Sequence, residues 1–327
     1  MKSFLKLIRW QNLVIVALTM TMMRYAVLEP LLGKLQVIII QGSVGEAVME
    51  LQFPPVNFIF LIAATIFIAA GGYVINDCFD IKTDIINRGK VIVGYKISRR
   101  RAMALYNAFS LAGVALGFFI SWQSGYLLLG VMFLIVSGLL YFYSASYKRQ
   151  FLIGNIMIAF LTAMTPLLVA IYEWPAVYRF YSANAAKVPE LGFMFYWTGG
   201  FAVFAFITTL IREIIKDIED YEGDKVCGHN TLPIMLGVSA SKIIAAALIV
   251  ITITMLYAVW YLFLFDKYTL AYISTFIALP LAAAIIIMFR GAGRKHIHVA
   301  STLMKIVMIT GIFYSIVVKI LMNCNLV

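Results

Sequence analysis

Nine apolar runs of membrane-spanning length, separated by charged connections, leave this chain little choice of fold. They cover approximately residues 11–30, 55–76, 102–121, 125–146, 151–173, 194–215, 240–264, 268–289 and 299–322. Crossing roughly 30 Å of hydrocarbon takes about 20 helical residues. Inside a bilayer every backbone polar group must be satisfied, which restricts spanning segments to helices or closed barrels. These runs are too long and too continuously apolar for alternating barrel strands. The composition agrees: 63% of the 327 residues are hydrophobic, 13% are charged, and the mean hydropathy is +0.95. Soluble domains carry about 25% charged residues. The expected fold is an all-α integral membrane bundle of about nine transmembrane helices, a single polytopic domain over residues 1–327.

The basic residues orient that bundle. With the N-terminus cytoplasmic, 19 of the 26 Lys and Arg fall on the inner side, 5 on the outer side (Arg24 among them) and 2 in the last span. Cytoplasmic loops collect positive charge, so this split predicts N-inside and C-outside; the cell membrane is the default location, which the count itself does not select. The net charge of +11 then reflects topology and contact with anionic lipid or phosphate, not nucleic acid. The basic N-terminus followed by an apolar run reads as the first span, since no clear cleavage site follows. Two long outer segments, 31–54 and 174–193, contain Pro and mixed polar residues, as segments lying on the membrane surface would. Cys78, Cys227 and Cys324 form no CxxC pair and read as small filler residues.

Nine of the 15 acidic residues fall in two short clusters, at the inner ends of the second and sixth spans. The first holds Asp77, Asp80 and Asp84, preceded by Asn76. The second holds Glu213, Asp217, Glu219, Asp220, Glu222 and Asp224. Spacings of three and four place Asp77, Asp80 and Asp84 on one helical face, and Asp217, Asp220 and Asp224 repeat them. Like charges stacked in this way repel, and a divalent cation removes the cost. Hard oxygen ligands favour Mg²⁺ or Ca²⁺, and Mg²⁺ usually combines one or two carboxylates with substrate phosphates. Two carboxylate clusters beside basic loops therefore suit a Mg²⁺-bridged diphosphate. Interfacial acids that merely balance basic loops explain one such cluster better than two matched ones. The four-span offset suggests two four-helix halves plus one further helix.

At these residues the sequence resembles the UbiA superfamily of intramembrane prenyltransferases. Asn76, Asp77, Asp80 and Asp84 meet the family's NDxxDxxxD motif, and Asn87-Arg88 follow it. The family then usually has Pro, where this chain has Gly89. Asp220 and Asp224 match the second motif, DxxxD, with Asp217 upstream. The string from Arg212 to Asp220, continued by Glu222-Gly223-Asp224 and Thr231-Leu232-Pro233, is most similar to geranylgeranylglyceryl-phosphate geranylgeranyltransferases. Tyr143-Ser144, Lys148-Arg149 and Gly154-Asn155 resemble the family's fourth-to-fifth helix turn.

The resemblance implies Mg²⁺-dependent transfer of a prenyl group from a prenyl diphosphate to a lipophilic acceptor inside the membrane. Geranylgeranylglyceryl phosphate, an aromatic or quinone precursor and a tetrapyrrole are the acceptors it suggests. Asp77, Asp80, Asp84, Asp217, Asp220 and Asp224 are the expected catalytic carboxylates. Asn76, Asp80, Asp84, Asp220 and Asp224 are the expected metal ligands, and Asn76, Arg88, Lys148 and Arg212 the expected diphosphate contacts. A cation-coupled transporter is the rival reading, but it calls for acids near mid-span. Lys305, about one turn inside the last run, reads as snorkelling to the surface rather than catalytic. His296 and His298 stand in a basic loop without neighbouring metal-ligand residues.

Overall fold

The computed structural model describes residues 2–40, 45–89, 91–291 and 293–324, without the side chain at position 88. Its elements in chain order are α1 (Lys2–Leu7), α2 (Trp10–Leu32), β1 (Gln36–Ile39), β2 (Gly45–Val48), α3 (Pro55–Phe79), α4 (Ile81–Arg88) and α5 (Arg99–Gln123). They continue with α6 (Leu129–Ala145), α7 (Ile153–Asn184), α8 (Phe193–Glu219), α9 (Tyr221–Val226), α10 (Leu232–Leu236), α11 (Val238–Leu264), α12 (Lys267–Arg290) and α13 (Arg294–Asn323).

Among the described residues, eight helices are long and apolar enough to cross a membrane, and α6 is a shorter apolar helix of 17 residues. All nine expected runs are helical. Local chemistry sets several ends. Pro55 sits at the start of α3, where its missing N–H is one the helix leaves unpaired anyway. The Ser98 hydroxyl accepts from the Arg101 N–H at the start of α5. Gly89 closes α4 with φ 65°, a left-handed conformation that the proline ring forbids.

The buried core divides unevenly. One cluster comes mainly from α2, α3, α5, α6 and α7, and a second from α8, α11, α12 and α13. The ninth apolar helix, α13, contributes to both, with Ile297, Ala300, Met304 and Val307 in the second and Val318 and Met322 in the first. It also packs against α2, so the last span closes the bundle onto the first.

The far end, opposite the acid clusters, differs from expectation in three ways. α7 runs eleven residues past its predicted end, through Pro166 and Pro175. The segment 31–54 contains an antiparallel pair of strands, β1 and β2, with Gln36 opposite Val48 and Ile39 opposite Gly45. The chain just after β1 joins the end of α7 through Ile40 N–H to Asn184 O at 2.9 Å, so the described parts of the two long outer segments are in contact. Arg24 is not a loop cation: it lies within α2, 1% exposed, with Nε 3.3 Å from Glu173 Oε2 of α7.

Candidate active site

Each acid motif sits where a long apolar helix hands over to a short one. The junction residue is Asp80 between α3 and α4, and Asp220 between α8 and α9. Their backbones nearly coincide, with φ −90° and ψ 4° at Asp80 and φ −93° and ψ 8° at Asp220. A ψ near zero is the sparsely populated bridge region, which tightens the helix locally. The i→i−4 ladder still runs through both bends. Asp80 N–H donates to Asn76 O at 3.0 Å and Asp84 N–H to Asp80 O at 2.8 Å. Asp220 N–H donates to Lys216 O at 2.9 Å and Asp224 N–H to Asp220 O at 3.1 Å.

These bends correct the expectation of one straight acidic face per motif. Asp80 and Asp84 line a cleft with Asn76, and Asp217, Asp220 and Asp224 line it from the opposite motif. Asp77 is not part of its wall; its Oδ1 accepts from Arg9 Nη2 at 3.0 Å. Lys148, from the turn between α6 and α7, reaches into the cleft and pairs with Asp80. Arg212 stays outside, with Nη1 2.7 Å from Glu213 Oε1. Arg88 ends α4, and its side chain lies outside the described residues.

Asn76 Nδ2 donates to Asp80 Oδ2 at 2.7 Å, and Asn76 Oδ1 accepts from Lys148 Nζ at 3.4 Å. Burial by itself drives the Asp80 carboxyl upward, but the Lys148 ammonium outweighs it and holds Asp80 below its ordinary value. The same pair, working against burial, raises Lys148. In the second motif Asn155 Nδ2 donates to Asp217 Oδ2 at 2.7 Å. Asp224 is buried, with His229 Nδ1 2.9 Å from its Oδ1 and the Thr231 hydroxyl 3.5 Å from its Oδ2.

A buried asparagine staples the two motifs together. Asn87 of α4 accepts from the Gly223 N–H at 3.0 Å and donates to Asp220 O at 3.3 Å. A methyl group on Gly223 would lie 2.4 Å from Asn87 Nδ2, so only glycine lets the helices approach this closely. Arg294, at the start of α13, donates to Asn87 O and places Nη2 3.6 Å from Asp220 Oδ1.

Sequence reading missed Arg9, Lys216 and His229 as cleft residues. Arg9 is 68 positions from Asp77, and no local pattern links them. Lys216 sits one residue before Asp217 and His229 five after Asp224; only their proximity to the second motif marked them.

The donor set fits a metal held jointly with a ligand. Among the described residues, no three His, Cys, Asp or Glu side chains converge closely enough to cage an ion. Mg²⁺ rarely asks for such a cage: it takes one or two carboxylates and fills its octahedron with phosphate oxygens and water. An open array of carboxylates from two helices, with Lys148, Lys216 and Arg9 on the same wall, provides both the ligands and the anion-binding charge.

The UbiA prenyltransferase family matches residues 43–309. The chain is 36% identical over 228 residues to the digeranylgeranylglyceryl phosphate synthase of Sulfolobus acidocaldarius, covering 67% of this chain and 74% of that one. It is 32% identical over 209 residues to the synthase of the same name from Pyrococcus horikoshii, covering 63% and 67%. A UbiA homologue from Archaeoglobus fulgidus, solved bound to DMAPP and Mg²⁺, shares the fold with a TM-score of 0.52 at 18% identity, over 96% of this chain and 99% of that one.

Proposed function

The chain belongs to the UbiA prenyltransferase family, and on that premise we propose that this multi-pass membrane protein transfers a prenyl group from a prenyl diphosphate to a lipophilic acceptor, with Mg²⁺, at the cytoplasmic face of the cell membrane. Geranylgeranylglyceryl phosphate is the favoured acceptor, because the relatives matched over most of their length are digeranylgeranylglyceryl phosphate synthases. One observation carries the reading: two bent helix ends bring carboxylates from motifs more than a hundred residues apart into one cleft lined with cations. That arrangement also displaces the cation-coupled transporter, whose acids belong at mid-span.

Asp80, Asp84, Asp220 and Asp224 are the proposed Mg²⁺ ligands, with Asn76 and Asp217 shaping the first and second sides. Bound Mg²⁺ would neutralise negative charge on the departing diphosphate. Lys148, Lys216 and Arg9 add charge-assisted hydrogen bonds to the phosphate oxygens. The allylic C–O bond of the donor breaks, the acceptor oxygen bonds to the freed carbon, and the acceptor hydroxyl loses its proton. Apolar helices around the reacting carbon keep water from competing as the nucleophile.

The test is turnover by purified protein with geranylgeranyl diphosphate and geranylgeranylglyceryl phosphate, run beside a panel of aromatic acceptors, with Mg²⁺ and with EDTA. Mg²⁺-dependent digeranylgeranylglyceryl phosphate is the expected product. Product from aromatic acceptors alone overturns the acceptor, and donor left intact with every acceptor overturns the transferase reading.

A further inference from the structure

Lys305 lies deeper in its helix than the apolar run suggests. α13 begins at Arg294, five residues earlier than the apolar run suggested, so Lys305 lies about three turns into the helix. The antiparallel pairing of α8 and α13 fixes what it meets. His298 Nδ1 is 3.0 Å from Glu219 Oε1, and a methyl group on Gly311 would lie 2.2 Å from the Phe204 ring. Seven residues on from His298, Lys305 falls opposite Arg212, seven residues back from Glu219. That level is about 10 Å deeper than Glu219.

Arg212, Arg9, Lys216 and Glu213 are among the charges within electrostatic reach of Lys305. Arg9 and Lys216 line the acid cleft, and α13 packs against the helix that Arg9 begins. Lys305, an exposed side chain, is thereby placed on the cleft side of the bundle, where α13 meets α2. The one carboxylate in this group is already shared: Glu213 accepts from Arg212 at 2.7 Å and from Lys216 at 3.3 Å. Lys305 itself has no hydrogen bond or ion pair among the described residues. Two further donors on the facing stretch of α8, Arg212 Nε and Thr209 Oγ1, are buried and unpartnered. A cation this deep in a membrane protein is costly without a counter-charge, and buried donors without acceptors add to the cost.

We propose that Lys305 and Arg212, with Thr209 below them, form a second anion subsite that holds the phosphate of the acceptor lipid, one to two turns deeper than the diphosphate cleft. This rests on the prenyl-transfer reading and extends it to acceptor choice. The donor diphosphate occupies the metal cleft, the acceptor phosphate neutralises Lys305, and the acceptor hydroxyl is held between the two. A neutral acceptor leaves Lys305 uncompensated and binds weakly for that reason.

The experiment compares wild-type protein with Lys305→Met and Lys305→Arg in neutral phosphatidylcholine nanodiscs. Methionine removes a charge from a spanning helix and leaves packing intact, and a thermal melt checks the fold. Equilibrium binding of geranylgeranylglyceryl phosphate and of the same lipid lacking its phosphate is measured in EDTA without donor. Wild type should prefer the phosphate lipid by about tenfold or more, Lys305→Met should lose that preference, and Lys305→Arg should keep most of it. In turnover, Lys305→Met should raise the acceptor KM and leave the donor KM unchanged. Equal binding of both lipids by wild type overturns the subsite. So does unchanged binding in Lys305→Met, the result expected if Lys305 holds a bilayer lipid, and so does a joint rise of both KM values. If wild type turns over no acceptor, the prenyl-transfer reading fails, and the binding comparison still decides the subsite.

Discussion

The two ends of the bundle both bury carboxylates, and they use them in opposite ways. At the far end, Glu173 and Arg24 are each 1% exposed and closed off together. Glu173 Oε1 accepts from the backbone N–H groups of Gln52 and Phe53 at 2.7 and 2.8 Å, Arg24 donates to Phe53 O, and its guanidinium lies 4.5 Å from the Phe58 ring centroid. One acid and one base lock the segment entering α3 onto the first and fifth spans. At the motif end, Asp80, Asp84, Asp217, Asp220 and Asp224 share one cleft with Arg9, Lys148 and Lys216, so acids outnumber Lys and Arg along its wall. A sealed ion pair serves the fold, whereas a surplus of like charge around an opening serves a ligand.

Removing single members of each site tests this contrast. The largest effect is expected from Asp220→Ala: turnover should fall about a thousandfold or more, while the melting temperature holds, because the carboxylate contributes more to the reaction than to the fold. A matching loss of stability would erase the contrast. At the far end, Glu173→Ala should cost about 3–5 kcal/mol by stranding Arg24 in the interior, whereas Arg24→Met with Glu173→Leu together should cost less, the remainder coming from the Gln52 and Phe53 N–H groups that lose their acceptor. Chemical denaturation of the folded protein reads both, and surviving Glu173→Ala molecules should keep the wild-type donor KM.

Smaller changes sharpen the comparison. Gly223→Ala pushes Asn87 off its two partners and should cost about 1–3 kcal/mol in the joining of the motifs, read as a raised Mg²⁺ requirement for turnover before any large drop in melting temperature. Normal Mg²⁺ dependence in that variant would mean the staple does not align the cleft. The smallest effect is expected at the rim. His298 is 68% exposed against Glu219, and His298→Ala should change stability by less than about 1 kcal/mol.

The amino-acid sequence by itself determined that this chain is a helical membrane bundle, where its apolar helices lie, and which carboxylates gather at the ends of two of them. Hydrophobic length and charge spacing are local properties, and the bilayer makes them decisive because no other backbone arrangement satisfies its hydrogen bonds there. Asp80, Asp84, Asp217, Asp220 and Asp224 were legible for the same reason: their spacing is written within single helix ends. Tertiary structure decided everything that joins distant segments. It turned Asp77 toward Arg9, kept Arg212 out of the cleft, brought Lys148 onto Asp80 and set Asn87 against Gly223. It also buried Arg24 against Glu173, where the sequence suggested a loop cation. Each of these contacts is set by how helices cross and bend, and the energy that selects them comes from pairing charges and filling space between segments that share no local pattern.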